Sequence, residues 1–266
     1  MSNSKTVFNI ILLVITLIFG GLCHSEPQPT LTLSDKQALS IGQKIWHNEG
    51  LGKIEYLTTW NQGEDFPSLG IGHFIWYPVN TEKTFIEQFP QFILFLIKSD
   101  VEIPPWLMPP TTLPWTDRNS FYAHYDSKQM AELRKLLSET IPQQVEFIIA
   151  RMKLSLPKML ASIPAHRRAE IQSRFHLIAA QPNGAYALID YVNFKGEGTE
   201  INERYKNIGW GLLQVLDNLD TNNSDIMSAF ANAADYVLTR RVENAPRDES
   251  KWLRGWRKRI KTYQTP

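Results

Sequence analysis

The groups best suited to chemistry crowd into two short stretches, Trp46-His-Asn-Glu49-Gly and Gly63-Glu-Asp-Phe-Pro-Ser68-Leu-Gly-Ile-Gly-His73. Glu49 stands at the end of a predicted helix, just before Gly50. The C-terminal end of a helix carries partial negative charge, and Ile45 and Trp46 are apolar neighbours. Both effects predict a raised carboxyl pKa, which suits a proton donor to a glycosidic leaving oxygen. Alone, such a residue also fits an exposed Glu at a frayed helix end. About fifteen residues on, the turn signal Asn61-Gln62-Gly63 brings Glu64 and Asp65. A strand returning past the helix end sets one of them across a cleft from Glu49. Two carboxyls in unlike surroundings divide acid and base work in glycosidases. Glu64 is preferred as the second carboxylate, because it follows Gly63 at the turn and is less constrained by Pro67.

The elements that must position these groups read as follows. Ser34 or Asp35 caps a helix on which Ala38, Leu39, Ile41, Ile45 and Trp46 recur at helical spacing, stopped by Gly50 and Gly52. Residues 54–60, β-branched and aromatic, read as a strand, and 68–77 as a second, glycine-bent strand. Five prolines between 103 and 115 mark a long ordered loop. Helices are predicted over 127–138, 143–152, 165–180, 185–194, 203–219, 225–242 and 249–263, punctuated by prolines. A small β element followed by many helices predicts an α+β, mainly helical fold.

Glu49-Gly-Leu, a short hairpin, and Ser68-Leu-Gly-Ile-Gly-His73 together resemble the active-site segment of phage-type lysozymes. The resemblance covers about twenty-five residues. It implies a lysozyme-like two-lobed domain, with Glu49 as general acid. Ser68 then takes the place of a water-orienting Thr, and His73 matches a family histidine that is more structural than catalytic, here grouped with the substrate-binding residues. The chain departs from the family in a hairpin about four residues longer. The family spacing lands on Thr58, so the second carboxylate must come from Glu64 or Asp65. A shorter run, Gly209-Trp-Gly-Leu-Leu-Gln214, is similar to a segment of lytic transglycosylases. Trp210 and Gln214 then wall the cleft; otherwise the run is helix core.

Other residues admit two readings each. Trp60, Trp76 and Tyr77 flank the site and offer faces for sugar stacking, or for core packing. Asp190, Asn193, Glu197, Glu200 and Glu203 form an acidic segment that matches no calcium loop. It reads as a solvated loop, with Asn193 and Glu197 as cleft-lining alternatives. In the C-terminal segment Trp252, Trp256 and Tyr263 share a helix face. The bases Lys251, Arg254, Arg257, Lys258, Arg259 and Lys261 are expected in solvent, or facing an anionic polymer or membrane. The histidines show no metal-ligand spacing, and there is no phosphate-binding loop or nucleophile elbow. No metal or cofactor is expected.

Composition narrows the class. Of 266 residues, 43% are hydrophobic and 21% charged, an ordinary globular balance. Lys5 precedes an apolar run from Val7 to Leu22 and then polar residues, the pattern of a secretory signal over 1–25. A retained anchor or a lipid-modified Cys23 are the alternatives. Residues 26–33 read as a linker and 34–266 as the domain. Removing the signal takes one base from 28, leaving 27 against 27 acids. A neutral chain argues against bulk electrostatic binding of nucleic acid. The expectation is an exported protein, periplasmic or secreted, with no membrane span after cleavage. It is expected to cleave β-1,4 bonds in an amino-sugar polymer: peptidoglycan, or a chitosan- or chitin-like glycan. A non-catalytic glycan-binding envelope protein and a single-acid lytic transglycosylase are the alternatives.

Overall fold

The computed structural model describes residues 33–264. The signal, Cys23 and most of the linker lie outside the described residues. No helix among those described is long and apolar enough to cross a membrane.

The chain is mainly helical, with a small antiparallel sheet. Helix α1 (Asp35–Gly50) starts at a capping box, in which Ser34 and Gln37 satisfy each other's backbone N–H. It ends one residue later than expected: Leu51 takes the left-handed conformation that turns the chain. The segment expected as a strand from 54 begins instead as a 3-10 turn, Ile54–Leu57. Strand β1 (Thr58–Thr59) pairs with β2 (Ser68–Leu69), which pairs with β3 (Phe74–Ile75). Thr58 lies opposite Leu69, and Ser68 opposite Ile75. The single strand foreseen over 68–77 is therefore a hairpin folded at Gly70–His73.

Helices α2 (Phe89–Lys98) and α3 (Arg118–Ala123) were not foreseen. Phe89–Lys98 is too uniformly apolar to show a helical period. Helix α4 (Lys128–Glu139) leads to α5 (Ile141–Ala161), which is longer than expected. Pro142 fits its first turn, and Pro157 is carried inside it. Helices α6 (Ala165–Ala179) and α7 (Gly184–Lys195) follow as expected.

The predicted helix over 203–219 is corrected. It begins as a second hairpin, β4 (Arg204–Tyr205) with β5 (Ile208–Gly209), and becomes helical only in α8 (Leu212–Asp217). Lys206 and Asn207 both take positive φ, the two-residue turn that suits a twisted hairpin. The fold closes with α9 (Ile226–Asn244) and α10 (Ser250–Lys261).

Helix α5 packs against α1, α2, α6 and α7. At Gly42 a Cβ would sit 2.1 Å from Val145 Cγ2, so only glycine permits this approach of α1 to α5. Against α5 lies an aromatic cluster: Phe147 meets Phe74 at 5.3 Å and Phe92 at 5.5 Å between ring centroids. Helix α10 packs on α9, and this pair reaches the C-terminal end of α1 through the site described next.

Candidate active site

The last turn of α1, the hairpin turn at 61–65, the bend at Gly72–His73, the end of α7 and one face of α10 enclose a cleft of 720 Å³. Glu49, Glu64, Asp65, Ser68, His73, Asn193, Glu197 and Trp210 all line it. Eight of the residues expected from sequence are thus brought together.

Glu49 is the most heavily engaged. Its Oε1 accepts from Arg259 Nη1 at 2.6 Å, and its Oε2 lies 3.2 Å from His73 Nδ1. Asn193 Nδ2 is 3.5 Å from Oε1 and 3.2 Å from the Gly72 carbonyl oxygen. The expected pKa direction is overturned. Burial raises the carboxyl, but the Arg259 guanidinium, then His73 and Lys195, hold it below the ordinary value. The sequence argument counted the helix end and apolar neighbours, and had no cation to set against them.

Arg259 is itself fixed. Its Nε and Nη2 donate to Asp190 Oδ2 and Oδ1, each at 2.8 Å, and Tyr263 Oη donates to Asp190 Oδ2 at 2.6 Å. Asp190 is fully buried, so the solvated-loop reading fails for it. Arg259, 7% exposed, corrects the expectation of a solvated base. The signal was present: Trp252, Trp256, Arg259 and Tyr263 fall at i, i+4, i+7 and i+11, on one helix face.

Glu64 has the opposite environment. Burial raises its pKa, assisted by the negative charge of Glu49; a hydrogen bond from Asn61 Nδ2 at 3.1 Å and the cations Lys195 and Arg247 only partly offset this. Asp65 is exposed at the rim. Ser68 is buried on β2 with its backbone in the sheet. His73 is held below its usual pKa, chiefly by burial, with Glu49 opposing, and its Nε2 has no partner among the described residues. Its Nδ1 is the ring atom turned to Glu49.

Three residues expected to bind substrate take other places. Trp76 is 1% exposed and packs on Phe89 at 4.7 Å, so it belongs to the core. Trp60 is buried; its Nε1 donates to the Glu64 carbonyl oxygen at 2.8 Å and fixes the hairpin turn. It also lines a smaller hollow of 350 Å³ beside Glu49, with Tyr56 and Tyr122. Gln214 does not line the cleft. It accepts from Gly211 N at 2.9 Å and donates to the Gly198 carbonyl oxygen at 3.0 Å, bracing the loop before α8. Glu197 lines the cleft but is tied to Ser155 and Lys158.

No known protein family, curated protein or solved structure matches this chain. Among the described residues no cluster of side chains is suited to a metal ion. What the arrangement offers is acid–base chemistry from two carboxyls with opposed environments that line one cleft.

Proposed function

We propose that this chain is an exported glycoside hydrolase that cleaves β-1,4 bonds in an amino-sugar polymer, on a lysozyme-like two-lobed fold. One observation carries the reading. Glu49 and Glu64 line the same cleft, and their surroundings push their pKa values apart. The amino-sugar assignment rests on the resemblance of the segment 49–73 to phage-type lysozymes.

The charges favour a particular division of labour. Glu64 keeps its proton to higher pH and delivers it to the leaving oxygen. Glu49, ionised beside Arg259, faces the developing oxocarbenium ion, as nucleophile or as base for a water that Ser68 helps to hold. The sequence reading gave the proton to Glu49; the cations around it favour the reverse. Asp65, exposed at the rim, is left with a lesser role.

The test uses Glu49→Gln and Glu64→Gln on cell-wall glycan and on a nitrophenyl glycoside of an amino-sugar oligomer. A nitrophenolate leaves without protonation. The expected result is that both variants lose glycan hydrolysis, while only Glu64→Gln keeps turnover of the nitrophenyl substrate. The opposite pattern would return the donor role to Glu49. Glycan binding without release by the unaltered protein would favour a binding protein, and 1,6-anhydro product ends a transglycosylase.

A further inference from the structure

The cleft has two unlike walls. The hairpin side carries Glu64 and Asp65; the side built from α7, α9, α10 and the loop before α10 carries Lys195, Arg241, Arg247, Lys251 and Arg259. Most of those cations are already neutralised. Arg259 is shared between Glu49 and Asp190, and Arg241 and Arg247 both lie against Glu249.

Lys195 is different. It ends α7 and lines the cleft, and no carboxylate or hydrogen-bond acceptor among the described residues meets its ammonium group. Its Nζ rests instead on aromatic faces, 3.7 Å from the Trp256 ring centroid and 4.0 Å from that of Phe194. Such faces hold a cation in place without neutralising it. Burial, and then the guanidiniums of Arg241 and Arg259, push the amine well below its ordinary pKa, more than Glu249 and Glu49 oppose. A carboxylate brought against this amine would oppose that shift and favour its charged, hydrogen-bond-donating form. Lys251, at the rim over Trp252, adds a second cation, near Asp248. The stacked pair Trp252 and Trp256 lies beside both amines and suits the apolar face of a sugar ring.

We infer that Lys195 is the anchor of a carboxylate-binding subsite, and that the glycan taken by this cleft carries carboxylates on its sugars or their substituents. The inference deepens the proposed function and rests on that cleft holding a glycan. Among the polymers considered above, it selects an acidic amino-sugar glycan such as peptidoglycan, and disfavours neutral chitin and cationic chitosan.

Calorimetric titration of the protein at neutral pH tests it, with carboxymethyl chitin and neutral glycol chitin of matched length as probes and chitosan as the cationic control. The carboxylated polymer should bind roughly tenfold tighter than the neutral one, the size expected of one charge-assisted hydrogen bond, and chitosan should bind weakest. Lys195→Met and Lys195→Gln should bring the ratio of the two affinities close to one, and Lys195→Arg should keep it. Equal binding of the two polymers by the unaltered protein overturns the inference, as does a ratio that both neutral variants preserve. Catalysis is read separately. Hydrolysis without carboxylate preference leaves the hydrolase reading standing and removes the subsite. Carboxylate preference without hydrolysis does the reverse.

Discussion

Arg259 Nη1 lies 2.6 Å from Glu49 Oε1, while the rest of the same guanidinium grips Asp190. One cation from the C-terminal helix therefore serves two carboxylates, one in the cleft and one in the core. Removing it should be costly. Arg259→Met strands the fully buried Asp190 charge, and losing one partner of a buried pair costs about 3–5 kcal/mol. Urea denaturation should show that loss, and any remaining activity should have its acid limb at higher pH, because burial then governs Glu49. An unchanged denaturation midpoint would mean the network does not hold the fold.

The depressed Glu49 pKa fixes the sign of one pH effect. A carboxyl whose folded pKa lies below its unfolded value stabilises the fold above that unfolded value. The contribution is lost as pH falls through the folded pKa. Glu49→Gln should therefore flatten the fall in melting temperature on acidification below about pH 4.5, the ordinary glutamate value. A steeper fall would contradict the lowered pKa.

For Glu64 the sign reverses. Its folded pKa is raised, so it costs nothing below its unfolded pKa and opposes folding as pH rises through the folded value. Glu64→Gln should melt higher than the unaltered protein at pH 8 and no differently at pH 4. Over the same comparison glycan hydrolysis should fall by about 10²–10⁴-fold, the usual contribution of a general acid. A gain in stability joined to a loss of turnover marks a group held in place for chemistry. A variant that loses both is only structural.

Much of this site was legible because it is local. Glu49, the Gly63 turn and the Gly70–His73 bend lie within twenty-five residues, so helix, turn and strand signals sufficed to bring them together. The helix face of Arg259 was legible, but the pairing of Arg259 and Asp190 with α1 was hidden by distance. They join α1 through contacts 210 and 142 residues away, which no local period reports. Trp76 failed for another reason. Alternation cannot tell an aromatic beside a cleft from one against Phe89, because both sit on the apolar face of a strand. The hairpin at 204–209 was missed because Lys206 and Asn207 supply the positive φ in place of the usual glycine.

The bend that presents His73 depends on a buried amide. Gln144, fully buried on α5, accepts from Ile71 N at 2.8 Å and donates to the Leu137 carbonyl oxygen at 2.6 Å. Gln144→Leu leaves both backbone groups unpaired, at about 1–3 kcal/mol each. Gly70→Ala attacks the same contact from the other side, since φ is +72° and its Cβ would lie 2.3 Å from Gln144 Oε1. Both variants should lower the urea midpoint, and the two losses should not add in the double variant. Additive losses would show that the bend is held independently of α5.

Gln214 separates a brace from a cleft wall. Its amide spans Gly211 and Gly198, the two strands of chain that lead from the end of α7 into α8. Gln214→Ala gives up both bonds and should cost about 1–3 kcal/mol in chemical denaturation. Because the side chain does not line the cleft, KM for glycan measured well below the melting temperature should shift by less than about twofold, under 0.5 kcal/mol. Trp252→Ala makes the contrast. Trp252 is partly exposed on the cleft wall and stacked on Trp256, so its loss should raise KM by about 2–10-fold, the worth of one aromatic contact, with little change in stability. If Gln214→Ala raises KM while the fold stays as stable as before, the amide contacts glycan, and the resemblance to the transglycosylase segment describes this site better than the brace does.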